Sequence, residues 1–136
     1  MSDWYDITKN LIGTAGLDLN NLSNPKIIAI KQGGGYTFSQ ADDFLSDVGA
    51  GARLATTTLS NVTFGVSQDA SLDSDDVVFT TPPVGTVDSF VIYNDSGVEA
   101  TSPLIAFLDD GVGLPILTEV GRDLNVQVAA SGLGKL

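Results

Sequence analysis

From Pro25 onward the chain is cut into short apolar or alternating runs, each stopped within a few residues by Gly, Pro, Asn or Asp. Runs of this length suit strands joined by tight turns. Lys26 to Lys31 is a compact apolar run between Pro25 and Gly33-Gly34-Gly35. Ala52 to Leu59 is Thr-rich and alternates, and Asn61 to Ser67 puts Val62, Phe64 and Val66 on one face. Asp76 to Thr80 follows, then Val87 to Tyr93 after a break at Pro82-Pro83. Asn94-Asp95-Ser96-Gly97 and Asp109-Asp110-Gly111 are turn sequences on either side of Pro103 to Leu108. Residues 114–120 and Leu124 to Ala129 close the series. Roughly eight strands with turn signals every 8–12 residues predict a mainly β fold, a β-sandwich or barrel.

Two segments read as helix. Trp4, Ile7, Leu11, Ile12 and Ala15 recur at helical spacing, which predicts one short amphipathic helix over residues 3–15. Ser2 or Asp3 supplies its cap, and Gly13 and Gly16 mark its end. Ser39 can cap a second, one- to two-turn helix from Gln40 to Asp47 that buries Phe44 and Leu45. Tyr36 to Phe38 before it reads as strand. The expected organisation is a helix and arm over residues 1–25, a β-sandwich over 26–130, and a flexible tail, SGLGKL, over 131–136 that is frayed or docked on a neighbour.

A chain of 136 residues is large enough for one domain with its own core. Its charge is lopsided, with 17 acidic against 6 basic residues and a net charge of -11. Glu99 and Glu119 are the only glutamates; the other acids are Asp, which favours turns. A field of this sign repels nucleic acid and anionic lipid, so neither is expected as a partner. There is no cysteine, hence no disulfide, and no histidine, the commonest general base and metal ligand. The first residues lack the basic-then-apolar layout of a signal peptide, and no apolar run approaches a membrane span. The expectation is synthesis in a cytoplasm without autonomous export.

Motifs for chemistry are weak. Asp69, Asp73, Asp75 and Asp76 invite a calcium reading, but an EF-hand loop needs Gly at its sixth position and Glu at its twelfth. Counted from Asp69, those positions hold Ser74 and Thr80. Solvated loops are the simpler account of these acids and of Asp42-Asp43 and Asp109-Asp110. Gly33-Gly34-Gly35 is followed by neither a GK[ST] motif nor a helix, so it is a hairpin tip rather than a phosphate cradle. Gly111 to Pro115 is likewise a turn. No nucleophile–base pair can be named, and no enzyme activity and no cofactor are expected. The sequons at Asn61 and Asn94 matter only on a secretion route. The candidate assembly interface is Trp4, Tyr5, Ile7, Leu11 and Ile12 on the helix, with Leu133 and Leu136 in the tail. Large aromatics and apolar residues near termini suit intersubunit contacts, or else cover the chain's own sandwich.

The order of elements resembles a known group of proteins. KIIAIK is followed by Tyr36 to Ser39, Phe44 to Val48, Gly51 to Thr56, Asp73 to Phe79, Val91 to Gly97, Ser102 to Phe107 and Gly113 to Pro115. This succession is similar to the capsid decoration (cement) proteins of tailed, siphovirus-like bacteriophages, over roughly residues 26–128. The ending, GLGKL, departs from the aromatic-containing end expected there. The resemblance implies a β-sandwich that forms a homotrimer on the outer capsid surface and clamps neighbouring major capsid proteins. A tail- or fibre-associated module recognising a host-surface glycan is the alternative, with Tyr36, Phe38 and Tyr93 as its candidate aromatics.

Overall fold

A computed structural model describes residues 2–64, 71–109, 114–127 and 134–135. In chain order the elements are β1 (Ser2–Trp4), α1 (Asp6–Thr14), β2 (Pro25–Lys31), β3 (Arg53–Thr58), β4 (Thr63–Phe64), β5 (Ser71–Asp73), β6 (Val77–Phe79), β7 (Thr86–Asn94), β8 (Leu104–Leu108), β9 (Ile116–Leu117), β10 (Leu124–Val126) and β11 (Gly134–Lys135). Short 3-10 turns lie at Leu45–Asp47, Ala50–Ala52 and Glu99–Thr101. The protein is mainly β, with one short N-terminal helix and antiparallel sheets.

The central sheet runs β1-β8-β7-β2-β3, with β9 also on β7. Two small sheets, β10-β6 and β11-β5-β4, complete the set. β11 lies against β1 and β6 against β3, so the small sheets approach both edges of the large one. Leu72 and Phe79 from the small sheets share one apolar cluster with Ile27, Ala29, Phe90 and Ile92. The opposite face of the central sheet carries a second cluster, with Ile28, Ile30, Val91, Leu104 and Phe107. Residues 32–52 cover that face as an irregular strap, contributing Leu45 and Val48, with Tyr36 and Phe38 packed against them.

Two buried faces explain the dense apolar runs. Successive strand residues point to opposite sides, so a strand covered on both must be apolar at every position. Ile27 and Ala29 serve one cluster and Ile28 and Ile30 the other; β8 is buried along its whole length. A bulge adjusts β8. Ile92 pairs with Ala106 but Tyr93 with Leu104, leaving Ile105 as an extra residue. Ile105 and Ala106 consequently enter the same cluster while Leu104 is turned to the other face.

Several expectations are corrected. The N-terminal helix begins at Asp6, because Ser2–Trp4 pairs with Leu108 to Ala106 as an edge strand, and the Tyr5 amide donates to the Ile105 carbonyl at 3.1 Å. No strand forms at Tyr36 to Phe38, and only Leu45–Asp47 of the second helix forms. Asp42 to Phe44 is held extended instead: the Leu104 amide donates to the Asp43 carbonyl, and Phe44 bridges to Pro103. The Asp47 carboxylate accepts the amides of Asp43 and Phe44 at 2.8 and 3.1 Å, which fixes that bend. Within the tail, Gly134–Lys135 pairs with Leu72 and Ser71 of the same chain rather than hanging free. The expectations for Val66, Ser67, Asp69, Asp110 to Gly113, Val128, Ala129, Leu133 and Leu136 lie outside the described residues.

Candidate assembly interface

The N-terminal segment was the expected interface, and its geometry divides it. Trp4 and Tyr5 are consecutive residues of extended chain, so their rings point to opposite faces of the sheet. Trp4 is 3% exposed in the interior cluster, edge-to-face with Phe64 at 5.8 Å. Tyr5 is 0% exposed and packs edge-to-face on Phe38 at 5.2 Å. Both are core residues, which matches the reading in which this segment covers the chain's own sheets rather than the one in which it makes intersubunit contacts. Ile7 packs against the strap-side cluster and Ile12 against the interior one, so α1 lies across the sheet edge and touches both. The buried Thr8 hydroxyl fastens it, donating to the Leu104 carbonyl at 2.6 Å. Leu11 is half-exposed and belongs to neither cluster. Leu133 and Leu136 lie outside the described residues.

The strap is tied down by polar contacts as well as rings. Tyr5 Oη lies 2.7 Å from Tyr36 Oη, which donates to Asp42 Oδ2 at 3.0 Å. Burial pushes the Tyr5 phenol well above the ordinary tyrosine range, and the Tyr36 bond reinforces the shift. Burial also raises the Tyr36 phenol, with the Asp42 carboxylate adding to it. Phe38 stacks on Phe107 with centroids 4.6 Å apart. The half-buried Arg53 guanidinium donates to the carbonyls of Leu45 and Val48 and to the Glu99 carboxylate at 2.6 Å. Gly34 lets the strap pass close to the Ala50–Ala52 turn, since a Cβ there would sit 2.7 Å from Ala52 Cα. These contacts occupy the candidate glycan aromatics. Tyr93 is buried at 5% exposure, and Tyr36 and Phe38 face the sheet.

The acidic loop is similarly committed to its own chain where it is described. Asn61 Nδ2 donates to Asp75 Oδ2 at 2.6 Å, and the Asp73 carboxylate accepts the Ser74 amide. Among the described residues, no group of three or more acids is arranged to hold a metal ion, and no helix is long and apolar enough to cross a membrane. Asp95 pairs with Lys26 at 2.9 Å; that bond, with the Gly97 amide, holds its carboxyl below the usual range.

Exposed apolar residues gather at a different place. Val84, Leu117 and Val120 are 56%, 67% and 84% exposed. Val84 lies in the turn before β7 and the other two on and after β9. Leu117 pairs with Thr86, and the buried Thr118 hydroxyl donates to the Pro83 carbonyl while accepting the Gly85 amide. Thr81 holds a left-handed backbone, φ 38°, and its amide donates to Asp123 Oδ1 at 2.8 Å. Beside these residues is a shallow groove of about 200 Å³, lined by Leu117 to Glu119 and Arg122 to Leu124. Sequence pattern does not reveal this patch, because Leu117 lies in an ordinary-looking run, and only the fold shows which side of β9 is covered. No protein-family model matches the chain, and no curated protein matches it.

Proposed function

We propose that this protein is a virion structural protein, a capsid decoration (cement) protein that binds the outer surface of a tailed-phage head as a homotrimer and bridges major capsid proteins. The observation that carries the reading is the ordered resemblance over residues 26–128. Its runs include β2, β3, β6, β7 and β8, so the likeness spans the central sheet and part of its cover rather than a peripheral motif. The charge of -11 supports a position away from packaged DNA. The role is binding rather than catalysis and calls on no cofactor. A ligand that binds only the mature lattice stabilises it by the free energy of that binding.

The test is co-sedimentation of the purified chain with heads assembled from the major capsid protein of the phage that encodes it. Saturable binding to mature heads, with a higher temperature of head disruption, is the expected result. Failure to sediment with mature heads overturns the proposal.

A further inference from the structure

We infer that Asp73–Ser74 is a site of spontaneous covalent modification, where the backbone closes onto the Asp73 side chain as a succinimide and reopens as isoaspartate. The inference is independent of the capsid reading. The dipeptide Asp–Ser occurs three times, at Asp73–Ser74, Asp88–Ser89 and Asp95–Ser96. Sequence alone ranks the three alike, and the fold separates them. At the first, the Ser74 amide nitrogen lies 2.8 Å from Asp73 Oδ1, so the attacking atom is already against the carboxyl group. Both residues are half-exposed, and residues 74–76 leave the end of β5 as irregular chain, open to water.

The other two pairs are committed elsewhere. The Ser96 amide donates to Ser102 Oγ at 3.0 Å, away from its own aspartate. The Asp95 carboxylate is taken by Lys26 Nζ at 2.9 Å and by the Gly97 amide at 2.8 Å. Within β7, Asp88 Oδ1 accepts the Ser89 hydroxyl at 2.9 Å, and Ser89 is 4% exposed.

The chemistry calls on no reagent but water. The Ser74 nitrogen attacks Asp73 Cγ, an N–C bond forms, and the carboxyl C–OH bond breaks. The hydroxyl leaves with the amide hydrogen as water, closing a five-membered ring. Water then adds to one of the two ring carbonyls. Opening at the side-chain carbonyl restores aspartate; opening at the backbone carbonyl routes the chain through Cβ and Cγ and lengthens it by one carbon. An amide nitrogen is a weak nucleophile because its lone pair is shared with the carbonyl. The rate therefore depends on how persistently the pair is held close, which is what a fixed near-attack geometry supplies. Asp73 pairs with Thr63, and the Asp75 amide just beyond donates to the Ser60 carbonyl at 3.0 Å. An added backbone carbon between those two contacts puts them out of register and loosens β5 from β4.

The test is incubation of the full chain in warm, mildly acidic buffer, native and in guanidinium chloride. Isoaspartate is read by methyl transfer from S-adenosylmethionine with an isoaspartyl methyltransferase, and located by fragmentation mass spectrometry. In the native protein, conversion at Asp73 is expected to exceed that at Asp88 and Asp95 by roughly tenfold or more, and in denaturant the three should agree within about twofold. A transient species lighter by one water should map to the same residue. Asp73→Glu, which would need a six-membered ring, should lose the label there. Equal conversion of the three pairs in the native protein overturns the inference. An excess at Asp73 that persists unchanged in denaturant overturns it too, since local sequence and not the fold would then be the cause. The comparison within the wild type stands whether or not the glutamate variant folds.

Discussion

Tyr5, Tyr36 and Tyr93 are the chain's three tyrosines, and burial raises all three phenols above 10.0. An unfolded chain ionises them near that value while the native state keeps them neutral. The tyrosines' contribution to stability is therefore level below pH 10.0 and falls as pH rises above it. The phenolate absorbance of the native protein should stay flat through pH 10 and rise together with loss of circular dichroism. Phenolate appearing before unfolding would contradict this. Tyr36→Phe removes the hydroxyl that links Tyr5 Oη to Asp42, leaving the buried Tyr5 hydroxyl without that partner. The expected loss is about 1–3 kcal/mol in denaturant unfolding.

At the scale of elements, the N-terminal strand and helix behave as parts of the core. Trp4→Ala should cost about 3–5 kcal/mol, and Leu11→Ala, outside both clusters, well under about 1 kcal/mol. Removal of residues 1–16 takes away an edge strand and both aromatic plugs, so the truncated chain should lose its cooperative thermal transition. Equal losses for the two alanine variants would show that the segment is not embedded as described. β2, β7 and β8 were legible in the sequence because strands buried on both faces become continuous apolar runs. β1, β5 and β11 were not, since a strand of two or three residues is defined by a distant partner rather than by local pattern. The spacing of Trp4, Ile7 and Leu11 fits a helix, yet pairing with β8 claims the first three described residues. Trp4 and Tyr5 follow from that pairing: as consecutive residues of extended chain they plug opposite faces of the sheet. Ile7 and Ile12, named as candidate interface residues, pack against the chain's own clusters.

For the molecule as a whole, two electrostatic effects oppose each other. Seventeen acids against six bases repel one another across the fold, while Lys26–Asp95 and Arg53–Glu99 attract locally at 2.9 and 2.6 Å. Each pair joins only two charges, whereas the net repulsion involves many more. The thermal midpoint is expected to rise as salt increases from about 0.01 M to about 0.15 M. A fall would show that the local pairs dominate.

One small clamp gives the molecule a chemical lifetime. Asn20 lends its side chain to Phe64 as a strand would, accepting the Phe64 amide at 2.7 Å and donating to its carbonyl at 2.9 Å. This closes the outer edge of β4, where open backbone groups would otherwise recruit a foreign strand. Slow hydrolysis of that amide to a carboxylate would keep the acceptor and destroy the donor, setting a negative oxygen against the Phe64 carbonyl. Ageing at this one exposed side chain would unlatch a sheet edge, and old preparations would be the ones that gel or form fibres.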